Sequence, residues 1–231
     1  MPKPDFITKN GRVIPITGRG KGKGGGAVVA GVLALGVFAS SGGAISLGGG
    51  AAGGGSVNVG SGTSSAQLRA RKADGQKSAR KGDVDGAWQR MGLRQLRRTG
   101  RQQAECLAAS FGEVREFFTR TRCTSLERVL FAVGDGAGNT AVVSVAWVGM
   151  ASASDARKFH TLMERYGSGD IYPLGASLLD LADIRFTGQR YGSDRDGKSV
   201  TIAEAENAGG SGFDHDTLDA IAEVAAYLPR V

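Results

Sequence analysis

Cysteine is nearly missing from this sequence: Cys106 and Cys123 are the only two among 231 residues. Neither has a CxxC partner or sits in a Cys/His arrangement, which excludes a thiol redox motif and a zinc site. Histidine is equally scarce, so a general base titrating near neutral pH has only two candidates, His160 and His215. His160 lies beside Phe159 in a helical pattern, as a residue at the edge of a core does. His215 sits in "DHDTLD" with Asp214, Asp216 and Asp219, where acids in the first turn of a helix are stabilised by its positive end and need no metal. No G-x-S-x-G elbow occurs; "GGSGF" (209–213) lacks the last glycine. A phosphate loop is absent too. Counting back from Gly22-Lys23 in "GRGKGKGGG" (18–26) puts Thr17 where a glycine is needed and Gly24 where Ser or Thr is needed. "SDRDG" (193–197) lacks the third ligand and terminal Glu of a calcium loop and reads as a hairpin turn. No cofactor and no metal is therefore expected.

Charge is missing as well, and in one block. Residues 24–68 hold no charged side chain over 45 positions, and within them 27–47 is 21 residues of Ala, Val, Leu, Gly, Ser, Ile and Phe. That length crosses a hydrocarbon core of about 30 Å as a helix. Six Lys/Arg against the single Asp5 precede it, a flank that favours a cytoplasmic N-terminus. The reading adopted is a retained signal-anchor helix. A cleaved signal peptide, with Val37-Phe38-Ala39 as the processing site and a secreted product, is the second. A Gly/Ala-rich linker is the third, although "VVAGVLALGVF" is too apolar for a solvated spacer. Eleven Lys/Arg in 69–102 argue for the reverse orientation, but they begin 22 residues past the span, whereas Lys23 stands four residues before it.

The remaining charge is split between the halves. Residues 1–104 carry 17 Lys/Arg against four acids, and 105–231 carry 12 against 18. A basic arm joined to an acidic globular domain is a different object from a uniformly basic nucleic-acid binder. The expected layout is a basic cytoplasmic tail at 1–26, the transmembrane helix at 27–47, a flexible glycine-rich then basic linker at 48–86, a basic helix at 87–104 carrying Trp88, Met91, Leu93 and Leu96, and an extracytoplasmic domain at 105–231.

Within that domain "ERVLFAVG" (127–134) and "TAVVSVAWVG" (140–149) flank the turn residues "DGAGN", and "DIRFTGQRYG" (183–192) and "KSVTIAEAE" (198–206) flank "SDRDG": two hairpins. "SDARKFHTLMERYG" (154–167) sets Phe159, Leu162, Met163 and Tyr166 on one helical stripe, and "FDHDTLDAIAEVAAYL" (213–228) is a final helix. A short helical turn is expected at 177–182. A single helix from Cys106 to Cys123 would part the sulfurs by about 25 Å, so a disulfide requires a break. Ser110 and Glu113, spaced as a capping box, supply one by starting a new helix at Phe111. The α-ββ-α-ββ-α order predicts an α+β fold, a four-stranded antiparallel sheet with helices packed on its inner face and Phe118, Phe131, Trp147 and Phe159 in the core. Exported and paired, Cys106 and Cys123 form its one disulfide.

"GEVREFFTRTRCTSLERVLFAV", "TAVVSVAWVGM" and "GDIYPLGA" are similar to uncharacterised single-pass exported or membrane proteins of actinobacteria, a resemblance covering about 110 to 228. It implies a location and a fold and carries neither activity nor site residues. Function is therefore sought in the basic stretch, at Arg69, Arg71, Lys72, Arg80, Lys81, Arg94, Arg97, Arg98 and Arg101. Outside the cell these residues would contact anionic lipid headgroups, at roughly 1 kcal/mol per charge, or cell-wall polymers, or an envelope protein. Facing the cytoplasm they would contact nucleic acid, although no aromatics interleave them for base stacking. The expectation is a membrane-anchored, non-enzymatic interaction or structural module at the cell envelope. The alternatives are a cytoplasmic-facing nucleic-acid binder and an envelope enzyme of unknown class.

Overall fold

The computed structural model describes residues 5–9, 12–16, 64–181, 184–208 and 212–230. The apolar segment 27–47 and the glycine-rich stretch after it, through residue 63, lie outside the described residues. Strands β1 (Asp5–Lys9) and β2 (Arg12–Ile16) pair antiparallel. There follow α1 (Ser65–Arg80), α2 (Val84–Arg90), β3 (Arg94–Arg98), β4 (Gln102–Gln103), α3 (Gly112–Arg120), β5 (Cys123–Gly134), β6 (Thr140–Met150), α4 (Ala153–Met163), a 3-10 turn (Ala176–Leu179), β7 (Tyr191–Asp196), β8 (Ser199–Asn207) and α5 (His215–Ala225).

The α+β class with an antiparallel sheet is what the sequence predicts, but the sheet has six strands, in the order β3-β5-β6-β8-β7 with β4 also on β5. The two extra strands come from the segment read as one basic helix over 87–104. Gly92 at φ 77° ends α2. The amide of Leu93 bonds back to the carbonyl of Trp88, and the chain leaves extended, so that Arg94, Gln95, Arg97 and Arg98 pair with β5 around a bulge. Trp88, Met91 and Leu93 are buried as their apolar character demands. They do so from a helix end and a turn.

Part of the segment read as a flexible linker, 48–86, is also ordered. Ser64 and Gln67 close a reciprocal capping box at the start of α1. The buried positions of this helix are Gly75 and Ala79, and a Cβ on Gly75 would stand only 3.1 Å from Val224 and 3.2 Å from the carbonyl of Ala87. Close approach replaces a stripe of large apolar side chains, and the usual amphipathic signal is absent. At α3 the start comes one residue later than expected, and Ser110 does not cap it: its hydroxyl donates to Leu107, while Glu113 pairs with Arg165.

Helices cover both faces of the sheet, where one was expected. On the first face Val129, Phe131, Val143, Val145, Trp147 and Ala203 meet α1, α2 and α5. On the second, Leu126, Val148, Met150 and Val200 meet α3 and α4, while Leu130, Ala132 and Val142 are covered by Leu174 and Leu179 of the connector. Strands apolar at nearly every position, as β5 and β6 are, have both faces buried. Strand β7 begins at Tyr191, eight residues later than its predicted start, because Ile184 and Phe186 serve the connector's packing on the second face. Phe118, Phe131, Trp147 and Phe159 are all buried.

Candidate interaction surface and groove

Cys106, after β4, and Cys123, the first residue of β5, are joined by a disulfide with Cα atoms 6.3 Å apart. The bond ties the end of the basic arm to the central sheet. Both cysteines line a shallow groove with Glu105, Phe118, Arg122 and Thr124, Cys106 buried and Cys123 half-buried.

The nine basic residues singled out from the sequence divide into two sets. One set holds the arm in place. Lys72 forms a half-buried ion pair with Glu223 of α5, and Arg69 lies beside it in a groove shared with Asp216 and Asp219. Arg80 stacks over the ring of Tyr227 at 3.8 Å. Arg97 binds Asp180 at 2.6 Å and the carbonyl of Leu179 at 2.7 Å, and Arg101 meets Glu127 at 3.0 Å. The acidity of the C-terminal half is thus spent partly on docking the basic N-terminal arm. The other set faces outward: Lys81, Arg94 and Arg98 are exposed and have no ion pair among the described residues. Arg71 is half-buried, with one guanidinium nitrogen lacking a hydrogen bond. Strand β3 is a sheet edge, and arginines along it also deter pairing with a second chain.

A second feature was not legible in the sequence. One register row crosses the first face of the sheet through Gln103, Glu127, Trp147, Thr201 and Asp194. The neighbouring row toward the core is Val129, Val145, Ala203 and Gly192. At this row the packed interior gives way to a polar groove of about 590 Å³ lined by Arg80, Asp194, Arg195, Asp196, Ser199 and Arg230, among others. The C-terminal residues wall it. Trp147 Nε1 donates to the carbonyl of Leu228 at 3.0 Å, and Arg230 donates to Ser199 Oγ at 3.0 Å while standing 3.6 Å from Glu127.

Burial pushes the Asp194 carboxyl above the usual range; Arg80 and His160 pull it down, and Asp196 adds to the rise. A raised value means that the native state holds the proton more tightly than the unfolded chain, whose value is about 3.9. Stability therefore falls as pH climbs from there through the raised value. Asp194→Asn is expected to melt at or above the parent temperature at pH 7 and to lose this part of the pH slope. Parallel melting-temperature profiles for parent and variant between pH 4 and 7 would contradict it.

The histidines are placed by the same sheet. His160 Nε2 lies 3.0 Å from Ser193 Oγ and 3.4 Å from Glu164, but the Ser193 hydroxyl donates to Glu164 at 2.7 Å. A serine activated for attack gives its proton to the imidazole, and here the carboxylate takes that hydrogen bond. Sequence spacing could not reveal this trio, because β7 brings Ser193 across 33 residues. His215 Nδ1 meets Arg190 at 2.7 Å, and Arg190 pairs with Glu206 at 3.4 Å. Among the described residues no group of three or more His, Cys, Asp or Glu is arranged to hold a metal, and no helix is long and apolar enough to cross a membrane. No family model matches the chain, and comparison with curated proteins and with solved structures gives no match.

Proposed function

We propose that this chain is a membrane-anchored interaction module whose α+β domain stands outside the cytoplasm and rests its arginine-bearing edge on anionic groups of the envelope. The observation that carries the reading is the Cys106–Cys123 disulfide, since such bonds persist in oxidising compartments and are rare in the cytosol. The charge-free stretch 27–47, with its basic flank, supplies the means of export and retention. The outward-facing Lys81, Arg94 and Arg98 supply the contact, each charge near a lipid surface being worth roughly 1 kcal/mol. Lipid headgroups are the nearest anions for a domain tethered to a bilayer, and wall polymers offer the same chemistry farther out.

The test is amide hydrogen exchange on full-length protein in lipid nanodiscs. With a third of the lipid anionic, the amides of β3 are expected to exchange about tenfold more slowly than in neutral lipid. The difference should vanish at high salt and in the Lys81→Gln/Arg94→Gln/Arg98→Gln variant. Equal exchange in the two lipids would remove the lipid contact from the account.

A further inference from the structure

The polar groove contains an arrangement that the anchoring function does not use. Asp194 is half-buried and accepts a hydrogen bond from the backbone amide of Arg195, while Arg80 and His160 act on it only at longer range; among the described residues neither it nor Asp196 has an ion pair. Facing them, Arg80 is held by the ring of Tyr227 at 3.8 Å and has no ion pair among the described residues, acting on Asp194 only at longer range. Folded proteins ordinarily let such opposite charges collapse onto one another, because a desolvated carboxylate without a counter-ion is costly. Here two groups prevent it. Tyr227, just past α5, fixes the guanidinium of Arg80 at the end of α1 by a cation–π contact, and the pairing of β7 with β8 fixes Asp194 on the floor. The result is a pocket of ordinary ligand size, with Ser199 and Thr201 hydroxyls on its floor and separate cationic and anionic poles.

We propose that this groove binds a small zwitterion, a free amino acid or short peptide, with its ammonium on Asp194 and Asp196 and its carboxylate on Arg80. A ligand of one sign would satisfy one pole and be repelled by the other; a zwitterion satisfies both through charge-assisted hydrogen bonds. The raised Asp194 carboxyl is consistent with this, being a half-buried group on which burial outweighs the longer-range pull of Arg80 and His160 and which a ligand ammonium would pair directly. The site makes no use of the outward-facing basic edge, so it stands whether or not that edge meets lipid.

Calorimetric titration of the purified full-length protein at pH 7 tests it with three probes: alanyl-alanine, N-acetyl-alanyl-alanine, which lacks the ammonium, and alanyl-alaninamide, which lacks the carboxylate. The free dipeptide is expected to bind at least about tenfold more tightly than either capped form. Asp194→Asn should weaken the free dipeptide about tenfold and leave the N-acetyl form unchanged. Arg80→Gln, an exposed substitution that spares the core, should weaken the free dipeptide and leave the amide unchanged. Absence of binding by all three probes up to about 10 mM overturns the proposal, as does equal affinity for the three or an unaltered dipeptide affinity in both variants.

Discussion

Alanine at Gly192 is expected to lower the melting temperature of the domain by about 6–12 °C. Gly192 lies in β7, against the last turns of α5. A Cβ there would stand 2.4 Å from the carbonyl oxygen of Ala222, 2.6 Å from its carbon and 2.6 Å from the Cα of Glu223. All three are backbone atoms, so no side-chain rotation relieves the clash and the helix itself must move. That helix buries Leu218, Ile221, Ala222, Val224 and Ala225 against the first face of the sheet. Displacing it opens the core along its length. Overpacking typically costs about 1–3 kcal/mol, and the backbone origin of the clash places this case at the top of that range. At about 2–4 °C per kcal/mol for a chain of this size, the expected shift follows. Gly100 is the control: a Cβ there meets nothing within 4 Å, so Gly100→Ala should melt with or slightly above the parent. Thermal unfolding followed by circular dichroism decides the matter, and a Gly192→Ala protein melting with the parent would show that β7 does not sit against α5 as described.

The second large effect concerns the sulfur pair. Changing Cys106 and Cys123 to serine, or adding reductant, is expected to cost about 3 kcal/mol, because the bond closes a loop of 17 residues. That again corresponds to about 6–12 °C. The loss has a location. The bridge fastens the chain after β4 to the start of β5, across α3, and the two-residue strand β4 has only Gln102 and Gln103 to hold it to the sheet. Its amides should exchange faster in the reduced protein, while those of β6, central in the sheet, keep their protection. A melting temperature indifferent to reductant, in protein whose thiols are shown to be oxidised beforehand, would contradict this account of the arm.

Why some elements are visible in the residues and others are not has a physical explanation. Strands β5 and β6 announce themselves through long runs of β-branched and aromatic residues around a turn in which Asp135 accepts from the amides of Ala137 and Asn139. Helix α4 shows its buried stripe of Ala156, Phe159, Leu162 and Met163. The disulfide was legible because the chain has only two cysteines and a domain read as exported would pair them, whereas the helix start expected after Ser110 is not capped by it. Helix α1 was not, since Gly75 and Ala79 are its contact surface and its docking depends on Lys72 meeting an acid 151 residues away. Strand β3 hid behind its arginines, because an edge strand tolerates charge that a central one would not. The two-sided cover of the sheet was written in the apolar runs 129–133 of β5 and 141–143 and 145–148 of β6, a signal read only for hairpin formation. The groove depends on strand register: Arg80, Asp194, Thr201 and Arg230 are distant in sequence and share no local pattern.

The central claim is that the polypeptide beyond residue 47 lies across a bilayer from the N-terminus. Its most direct test is a pair of reporters joined after Val231, one that is active only outside the cytoplasm and one that fluoresces only inside it. The account predicts activity from the first, silence from the second, and blocked Cys106 and Cys123 thiols in the untagged protein. A fluorescent cytoplasmic fusion, with both thiols open to alkylation in freshly lysed cells, would contradict it.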